Sequence, residues 1–217
     1  MNNKTRKRLW MAVGFLMAFC LWTLLLGVVD VQPIGPNDTK VGFATINGFL
    51  HRMTGMNMAI YTVTDWLGLV PVAIGCGFAA LGLAQWIRRK SIRKVDYDLW
   101  VLGGFYLLML AVYLLFESVV INYRPILVHG FLEVSYPSST TLLVLCVMPT
   151  TMLQVHRRMQ HRLLRRVLQT IIVLFMLFMV IGRLLAGVHW LTDIIGGVLL
   201  AGGMVLLYDA VCLLKTE

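Results

Sequence analysis

Six long and nearly uninterrupted apolar runs are the feature that most constrains the fold of this chain. Only 13% of its residues are charged and 59% are hydrophobic, whereas roughly 25% of the residues in a soluble domain are charged. Each run approaches the ~20 residues that a helix needs to cross a bilayer. A membrane barrel would instead alternate polar and apolar residues along each strand. The sequence therefore predicts an all-α, polytopic membrane protein built as a six-transmembrane-helix bundle.

The predicted spans divide the chain without any internal repeat, so residues 1–217 are expected to form a single membrane-embedded domain. The spans are Leu9–Val29, Met58–Ile87, Leu99–Val120, Ser138–Val155, Val167–Leu185 and Leu191–Leu214. The second span is long and contains Asp65 and Pro71, which predicts a late start, a tilt or a kink. A mildly amphipathic stretch around Phe43–Met53 predicts an interfacial helix lying over the bundle.

The first apolar run follows several basic residues, as the apolar part of a signal peptide does. The run from Leu9 to about Val29 is close to spanning length, and no small-residue cleavage site follows it. The sequence therefore favours an uncleaved first helix.

Close contacts of the last span are also expected, because small residues let helix backbones approach each other. These residues are Gly196, Gly197, Gly202 and Gly203. Internal packing is favoured for them, and a homodimer is left open.

The uneven placement of Lys and Arg residues predicts the orientation of the bundle. All but four of the 19 fall in the two termini, the second-to-third connection or the fourth-to-fifth connection. The four on the other side are Lys40, Arg52, Arg124 and Arg183. Because basic loops stay in the cytoplasm, both termini are expected there, with the protein in the plasma membrane. The formal net charge of +9 is then a topology signal, and nucleic acid is not an expected partner.

Three ionisable residues, Arg183, His189 and Asp193, lie close together beside the last two spans. Charged groups this near a bilayer core are costly unless they are paired and used. His189 and Asp193 are four residues apart and would share one helix face, so the carboxylate can hold the imidazole in one tautomer. An oriented imidazole beside an arginine is typical of a nucleophile or base next to an anion-binding group.

The predicted topology brings two further segments to the same non-cytoplasmic end of the bundle. In the first, Pro125 restricts the backbone of Arg124, whose guanidinium can grip two oxygens of a phosphate. In the second, a proline precedes Ser138, Ser139 and Thr140 at a predicted helix start. Free N–H groups and hydroxyls at such a start form an anion site. Together the three segments predict a phosphate site. No cluster of Cys and His with metal-ligand spacing occurs in the sequence, so no metal or other cofactor is expected.

The order of these motifs resembles that of the type 2 phosphatidic acid phosphatase superfamily. The family motifs are Lys–six residues–Arg-Pro, then Pro-Ser-Gly-His, then Ser-Arg–five residues–His–three residues–Asp. They correspond here to Arg124-Pro125, Pro137-Ser138, and the set Arg183, His189 and Asp193. The resemblance covers essentially the whole chain, because the six-span layout and the motif order both fit.

The resemblance implies a role for each matching residue. The family's third-motif histidine is the nucleophile that forms a phosphohistidine, and its aspartate orients that histidine, so these roles fall on His189 and Asp193. Arg124 and Arg183 correspond to the phosphate-binding arginines. Ser138 corresponds to the second-motif serine, whose backbone and hydroxyl contact phosphate, and Ser139 follows it at the predicted helix start.

Four positions depart from the family pattern. The first-motif Lys is Glu117, the second-motif Gly and His are Ser139 and Thr140, and the third-motif Ser is Gly182. The family's histidine at the Thr140 position protonates the leaving oxygen, and a threonine hydroxyl is far too weak an acid for that role at neutral pH. His129 is a candidate substitute acid, with Glu133 nearby. Glu117 either pairs with Arg124 or Arg183 or marks a site that rejects highly anionic ligands; the cost of an unpaired carboxylate favours pairing.

The predicted function is that of an integral membrane lipid phosphatase acting at the non-cytoplasmic face through a phosphohistidine. A missing acid matters least when the leaving group is good, so a lipid diphosphate is favoured, such as undecaprenyl diphosphate or another polyprenyl diphosphate. Phosphatidic acid or phosphatidylglycerophosphate is the alternative substrate. Thr140 and Glu117 also leave open a protein that binds or translocates lipid phosphates without hydrolysing them. An ion channel is weakly supported, because nothing in the sequence resembles a selectivity filter.

Overall fold

The helices of this protein form an all-α bundle, described here from a computed structural model that covers residues 1–128 and 130–215. The helices of these residues are α1 (Asn3–Leu26), α2 (Ala44–Thr54), α3 (Met58–Leu67), α4 (Leu69–Arg89), α5 (Tyr97–Ser118), α6 (Ser139–Arg158), α7 (Arg162–Leu185) and α8 (Leu191–Leu214). Six helical segments are long and apolar enough to cross a membrane, with α3 and α4 together forming the 32-residue span Met58–Arg89. The predicted all-α fold of six spans is thus confirmed. The side on which the termini lie stays a prediction.

The spans extend further into their basic flanks than the apolar runs predict. α1 begins at Asn3 rather than Leu9, because the Asn2 side chain accepts a hydrogen bond from the Lys4 backbone N–H at 3.2 Å. α7 begins at Arg162 rather than Val167, where His161 Nδ1 accepts from the Leu164 backbone N–H at 3.2 Å. Apolar length marks where a helix crosses the membrane, whereas capping side chains mark where it begins.

The second span, for which a late start, a tilt or a kink was predicted, is interrupted at Gly68, between α3 and α4. Pro71 has no N–H, and its ring collides with the carbonyl four residues before it, at Leu67. The Gly68 N–H donates instead to the Thr64 and Asp65 carbonyls, at 3.1 and 3.0 Å, which ends α3. α3 packs against α7, whereas α4 packs against α5 and α6.

α8 lies at the centre of the bundle and packs against α1, α5, α6 and α7. Its glycines make this close packing possible: a Cβ on Gly196 would lie 2.5 Å from Cε2 of Tyr136, and one on Gly203 would lie 2.8 Å from the Leu16 side chain. Gly197 and Gly202 are similarly close to side chains of the same chain. The prediction that these four glycines serve internal packing is confirmed.

The helix predicted around Phe43–Met53 is confirmed as α2, and it holds the start of α8. The buried Asn47 side chain donates to the Thr192 hydroxyl at 3.0 Å and accepts from the Thr192 backbone N–H at 3.3 Å. The His51 ring lies 5.5 Å from the Trp190 ring. α2 therefore fixes the residues that precede α8, including the connection that carries His189.

Candidate active site

Arg183 and His189 contact each other in the interior of the protein, where they are 1% and 3% exposed. Nη2 of Arg183 lies 3.3 Å from Nε2 of His189. Because a guanidinium only donates hydrogen bonds, Nε2 must be the accepting nitrogen and the ring proton must sit on Nδ1. The structure thus brings this predicted pair together, with the Nε2 lone pair directed at the cation.

Asp193 lies behind the imidazole, but not in the way that the sequence predicted. His189 sits in the connection before α8, which begins at Leu191, so the two residues do not share a helix face. Asp193 is in the first turn of α8, and its Oδ2 folds back to accept the Trp190 backbone N–H at 3.0 Å. Oδ2 lies 3.7 Å from His189 Nδ1, longer than a hydrogen bond. Catalytic hydrogen bonds of this kind are often long before the substrate binds.

The environment of His189 keeps its imidazole neutral. Burial lowers the pKa of His189 to about 4, and the charges of Arg183 and Arg124 act in the same direction, whereas Asp193 opposes them. A neutral ring at physiological pH keeps Nε2 unprotonated, so its lone pair can attack an electrophile once a ligand takes over the Arg183 contact.

Arg124 lies in the connection between α5 and α6, which is folded back by a bridge between Tyr123 and Val134. The Arg124 backbone N–H donates to the Glu133 carbonyl at 2.9 Å, and its Nε lies 3.0 Å from the Glu133 carboxylate. The Arg124 side chain is 11% exposed, and its buried Nη1 has no hydrogen-bond partner among residues 1–128 and 130–215. Buried donors without partners are what an anion site requires.

Hydrogen bonds join the three motif segments around Asp193. Its Oδ1 accepts from the Asn122 side chain at 3.1 Å, and its backbone carbonyl accepts from the Ser138 N–H at 3.1 Å. The Trp190 indole donates to the Tyr123 carbonyl at 2.8 Å. The predicted convergence of these segments is therefore observed, although sequence reasoning missed Asn122. One detail is corrected: the Ser138 N–H is already bonded, which leaves only its buried hydroxyl for a phosphate.

The second-motif segment begins α6 one residue later than predicted. α6 begins at Ser139, with Ser138 at the N-cap position. Ser139 and Thr140 line a cavity of about 370 Å³ between α3, α4, α5 and α6, and Asp65 and Tyr113 also contribute to its walls. The remaining walls are mostly apolar and include the exposed side chains of Leu69 and Leu110.

Three residues of α3 that the sequence analysis did not assign surround Arg183. Its Nη1 lies 3.7 Å from Oδ1 of Asp65 and 3.5 Å from the Thr64 hydroxyl. Its guanidinium carbon lies 5.1 Å from the ring centre of Tyr61. Positions 61, 64 and 65 share one helix face, and this spacing of polar side chains in an apolar span was the available signal. Only the packing of α3 on α7 shows which residue they face.

Gly182 departs from the family's serine for a packing reason. A Cβ at Gly182 would lie 2.7 Å from Cγ2 of Thr64, a buried and stiff β-branched side chain. The close approach of α3 therefore excludes a side chain at this position. The Thr64 hydroxyl lies beside Arg183 instead.

The predicted pairing of Glu117 with Arg124 or Arg183 is wrong. The ion pairs found for these arginines go to Glu133 and Asp65. The bridge between positions 123 and 134 brings Glu133, rather than the last turn of α5, beside Arg124. Glu117 is exposed and lies near Tyr113 and Ser139. The prediction that His129 is a substitute acid falls outside the described residues.

These features define a helical membrane protein with two arginines, a neutral histidine and a buried aspartate at one end of its bundle. Residues 118–212 match the family model described as the PAP2 superfamily. This segment contains the Arg-Pro, Pro-Ser and Arg–His–Asp motifs, so the part of the chain that holds all three motifs matches the PAP2 superfamily. The family resemblance is thereby confirmed.

The fold is similar to that of a solved structure. The crystal structure of a transmembrane PAP2-type phosphatidylglycerolphosphate phosphatase from Bacillus subtilis superimposes with a TM-score of 0.57 and 19% sequence identity. The alignment covers 96% of this chain and 98% of that chain. At this identity the likeness concerns the fold. Curated protein sequences give no match.

Proposed function

We propose that the protein is a membrane lipid phosphatase that removes a terminal phosphate from a lipid phosphate or diphosphate through a phosphohistidine. The observation that carries the proposal is the buried contact of 3.3 Å between Nε2 of His189 and the Arg183 guanidinium. It sets a neutral nucleophilic nitrogen beside a cation that can hold a phosphate. The match of residues 118–212 to the PAP2 superfamily supports the same reaction class.

The proposed reaction has two halves. The phosphate binds between Arg124 and Arg183, beside the free hydroxyl of Ser138, and Nε2 of His189 attacks the phosphorus as the bond to the lipid oxygen breaks. The Nδ1 proton stays with the ring, where Asp193 stabilises the positive charge that develops. Water then attacks the phosphohistidine and releases inorganic phosphate. The basic flanks predict that this site faces the non-cytoplasmic side.

The residue at the second-motif acid position supports a diphosphate substrate. Thr140 cannot supply a proton at neutral pH. An alkoxide leaving from a monoester needs that proton, whereas a phosphate leaving from a diphosphate carries its charge readily. We therefore place a polyprenyl diphosphate, such as undecaprenyl diphosphate, ahead of phosphatidic acid and phosphatidylglycerophosphate.

The test is phosphate release from a panel of these lipids by detergent-purified protein in the presence of EDTA. We expect release from the diphosphate to be fastest and the His189→Ala variant to lose at least about 1000-fold. His156→Gln, which changes an exposed histidine at the other end of α6, is the matched control and should keep wild-type activity. An acid-labile protein phosphate that is absent from His189→Ala would identify the intermediate.

A second candidate function is favoured by the same threonine. A protein that binds or translocates lipid phosphates needs the arginines but no leaving-group acid. If the protein binds the labelled diphosphate but releases phosphate from no lipid and forms no protein phosphate, the carrier function would be supported and the phosphatase function rejected. Release that is equal in wild type and His189→Ala would contradict the proposed nucleophile.

A further inference from the structure

Asp65 is a charged residue in an otherwise apolar span, and its position is unusual. Its side chain is 60% exposed, although it lies in the last turn of α3 within the second span. Carboxylates in membrane spans are rare and usually functional, because they are costly to keep there. Its cation partner is Arg183, at 3.7 Å, a longer contact than the 3.0 Å between Arg124 and Glu133. A contact this long and this exposed contributes little to stability.

The Arg183 guanidinium separates Asp65 from the nucleophile. Nη2 faces Nε2 of His189 at 3.3 Å, and Nη1 faces Oδ1 of Asp65 at 3.7 Å. A phosphate bound by both terminal nitrogens would have the imidazole on one side and the carboxyl group on the other. Phosphoryl transfer needs this arrangement, because the attacking and leaving atoms lie roughly in line.

The cavity beside the second motif places the leaving group near the same carboxyl group. Asp65 and Thr140 both line it, and its other walls include the exposed apolar side chains of Leu69 and Leu110. An apolar chain bound in this cavity would bring its ester oxygen between Asp65 and Thr140. Thr140 is the position at which the family pattern has a histidine.

We infer that Asp65 donates the proton to the leaving oxygen in place of the missing second-motif histidine. This inference rests on the proposed phosphatase function. When the phosphate takes over the Arg183 guanidinium, the Asp65 carboxylate is free to relay a proton, which the substrate brings in as its phosphate monoanion. As the bond from Nε2 to phosphorus forms and the P–O bond breaks, that proton passes to the lipid oxygen. In the second half, the attacking water returns a proton to Asp65 as the P–N bond breaks.

The test is a single-turnover measurement of lipid product release, which reports only the first half of the reaction. A lipid monophosphate and the corresponding lipid diphosphate are compared in wild type and Asp65→Asn. We expect the variant to release the alcohol from the monophosphate about 100-fold more slowly and to release the product from the diphosphate at nearly the wild-type rate. Asp98→Asn, which changes a carboxylate paired with Arg158 on the opposite flank of the bundle, is the control.

A second variant keeps the test decisive if Asp65→Asn is poorly folded. The double variant Asp65→Asn with Thr140→His restores an acid at the family position, so it should recover monophosphate turnover. Equal loss for both lipids, without recovery in the double variant, would overturn the inference in favour of a role in positioning Arg183. Wild type that hydrolyses the diphosphate but no monophosphate would also overturn it. Wild type that hydrolyses neither lipid contradicts the proposed phosphatase itself.

Discussion

At the residue scale, the two arginines of the site balance their charges differently. Arg124 has a carboxylate at 3.0 Å, whereas the more deeply buried Arg183 has its nearest carboxylate at 3.7 Å. A buried cation without a close partner is costly. The histidine contact and the face of α3 hold Arg183 in place despite this cost, as its proposed role in phosphate binding requires.

The charge state of His189 gives a first prediction. Its pKa is lowered from an ordinary 6.5 to about 4, so the folded protein resists protonation that the unfolded chain accepts. The contribution of the neutral His189 to the free energy of unfolding is therefore complete above pH 6.5 and is lost as the pH falls toward 4. We expect ¹⁵N histidine spectra at pH 5.5 to show a neutral ring, identified by its absence in His189→Gln. An imidazolium signal there would contradict this environment.

The support of Asp193 gives a second prediction. The Asp193 carboxylate accepts two hydrogen bonds, and the buried Asn122 side chain donates one of them. Asn122→Leu therefore leaves a buried carboxylate oxygen of Asp193 without a donor. We expect a loss of roughly 1–3 kcal/mol in stability and a fall in kcat. Thermal unfolding in detergent and phosphate release measure the two effects. Asn3→Ala, at an exposed position, is the control; equal behaviour of both variants would show that Asn122 is dispensable.

At the element scale, the site depends on how α3 meets α7 and on how the connection before α8 turns. α3 ends at Gly68 and packs against α7, and its polar face surrounds Arg183. The turn at Gly187 has φ of +68°, and a Cβ there would lie 2.0 Å from the Gly55 carbonyl oxygen. Both features place side chains of the site through contacts between distant parts of the chain.

The contact of α3 with α7 predicts that the family's own residue is harmful at position 182. Gly182→Ser restores the serine of the family motif but places its Cβ 2.7 Å from Thr64 Cγ2. We expect lower thermal stability and lower activity, since overpacking costs about 1–3 kcal/mol. Gly182→Ser combined with Thr64→Ala removes the clash and should recover the stability. A stable, active single variant would mean that the two helices separate easily.

Gly187, in the connection before α8, can be compared with Gly130, in the connection between α5 and α6, because both have positive φ. Gly187 has a backbone oxygen in the way of any side chain, whereas Gly130, with φ of +83°, has no atom within 4 Å of the added Cβ. Gly130→Ala should therefore cost only the roughly 1–2 kcal/mol of the left-handed conformation. Gly187→Ala should lower the unfolding temperature further and reduce activity by displacing His189. Similar effects of both changes would contradict the close packing at Gly187.

At the scale of the whole molecule, the site lies at the end of the bundle opposite most of the basic residues. Clusters of Arg and Lys flank the ends of α4 and α6 and the start of α7, whereas the motif segments lie beyond the other ends of α5 and α7. The basic clusters and the candidate site thus lie at opposite ends of the bundle. The orientation of the protein therefore determines which side of the membrane the candidate site faces.

The orientation itself is the last prediction. With six spans and basic flanks retained in the cytoplasm, both termini should lie there. A C-terminal fusion to green fluorescent protein should fluoresce in a bacterial inner membrane, and the same fusion to alkaline phosphatase should be inactive. A fusion in the connection between α1 and α2 should behave in the opposite way. An active C-terminal alkaline phosphatase would place the site on the cytoplasmic side.

The sequence by itself determined the number of spans and the family, because both depend on local properties. Apolar runs of spanning length and residues at fixed spacings are visible without any folding, and α8 even has its predicted ends. The proximity of His189 and Asp193 was also predicted, although for an incorrect reason. A capping side chain that folds back, rather than a shared helix face, brings them together.

Only the tertiary structure decided what surrounds Arg183 and what replaces the family's missing side chains. Tyr61, Thr64 and Asp65 lie more than 100 positions before the residue they contact, and their role depends on the packing of α3 on α7. In the sequence, Gly182 is only a departure from the serine of the family motif. In the structure, the close approach of Thr64 shows that position 182 has no room for a side chain. Pairings between distant side chains are set by the packing of whole helices, so a local pattern cannot predict them.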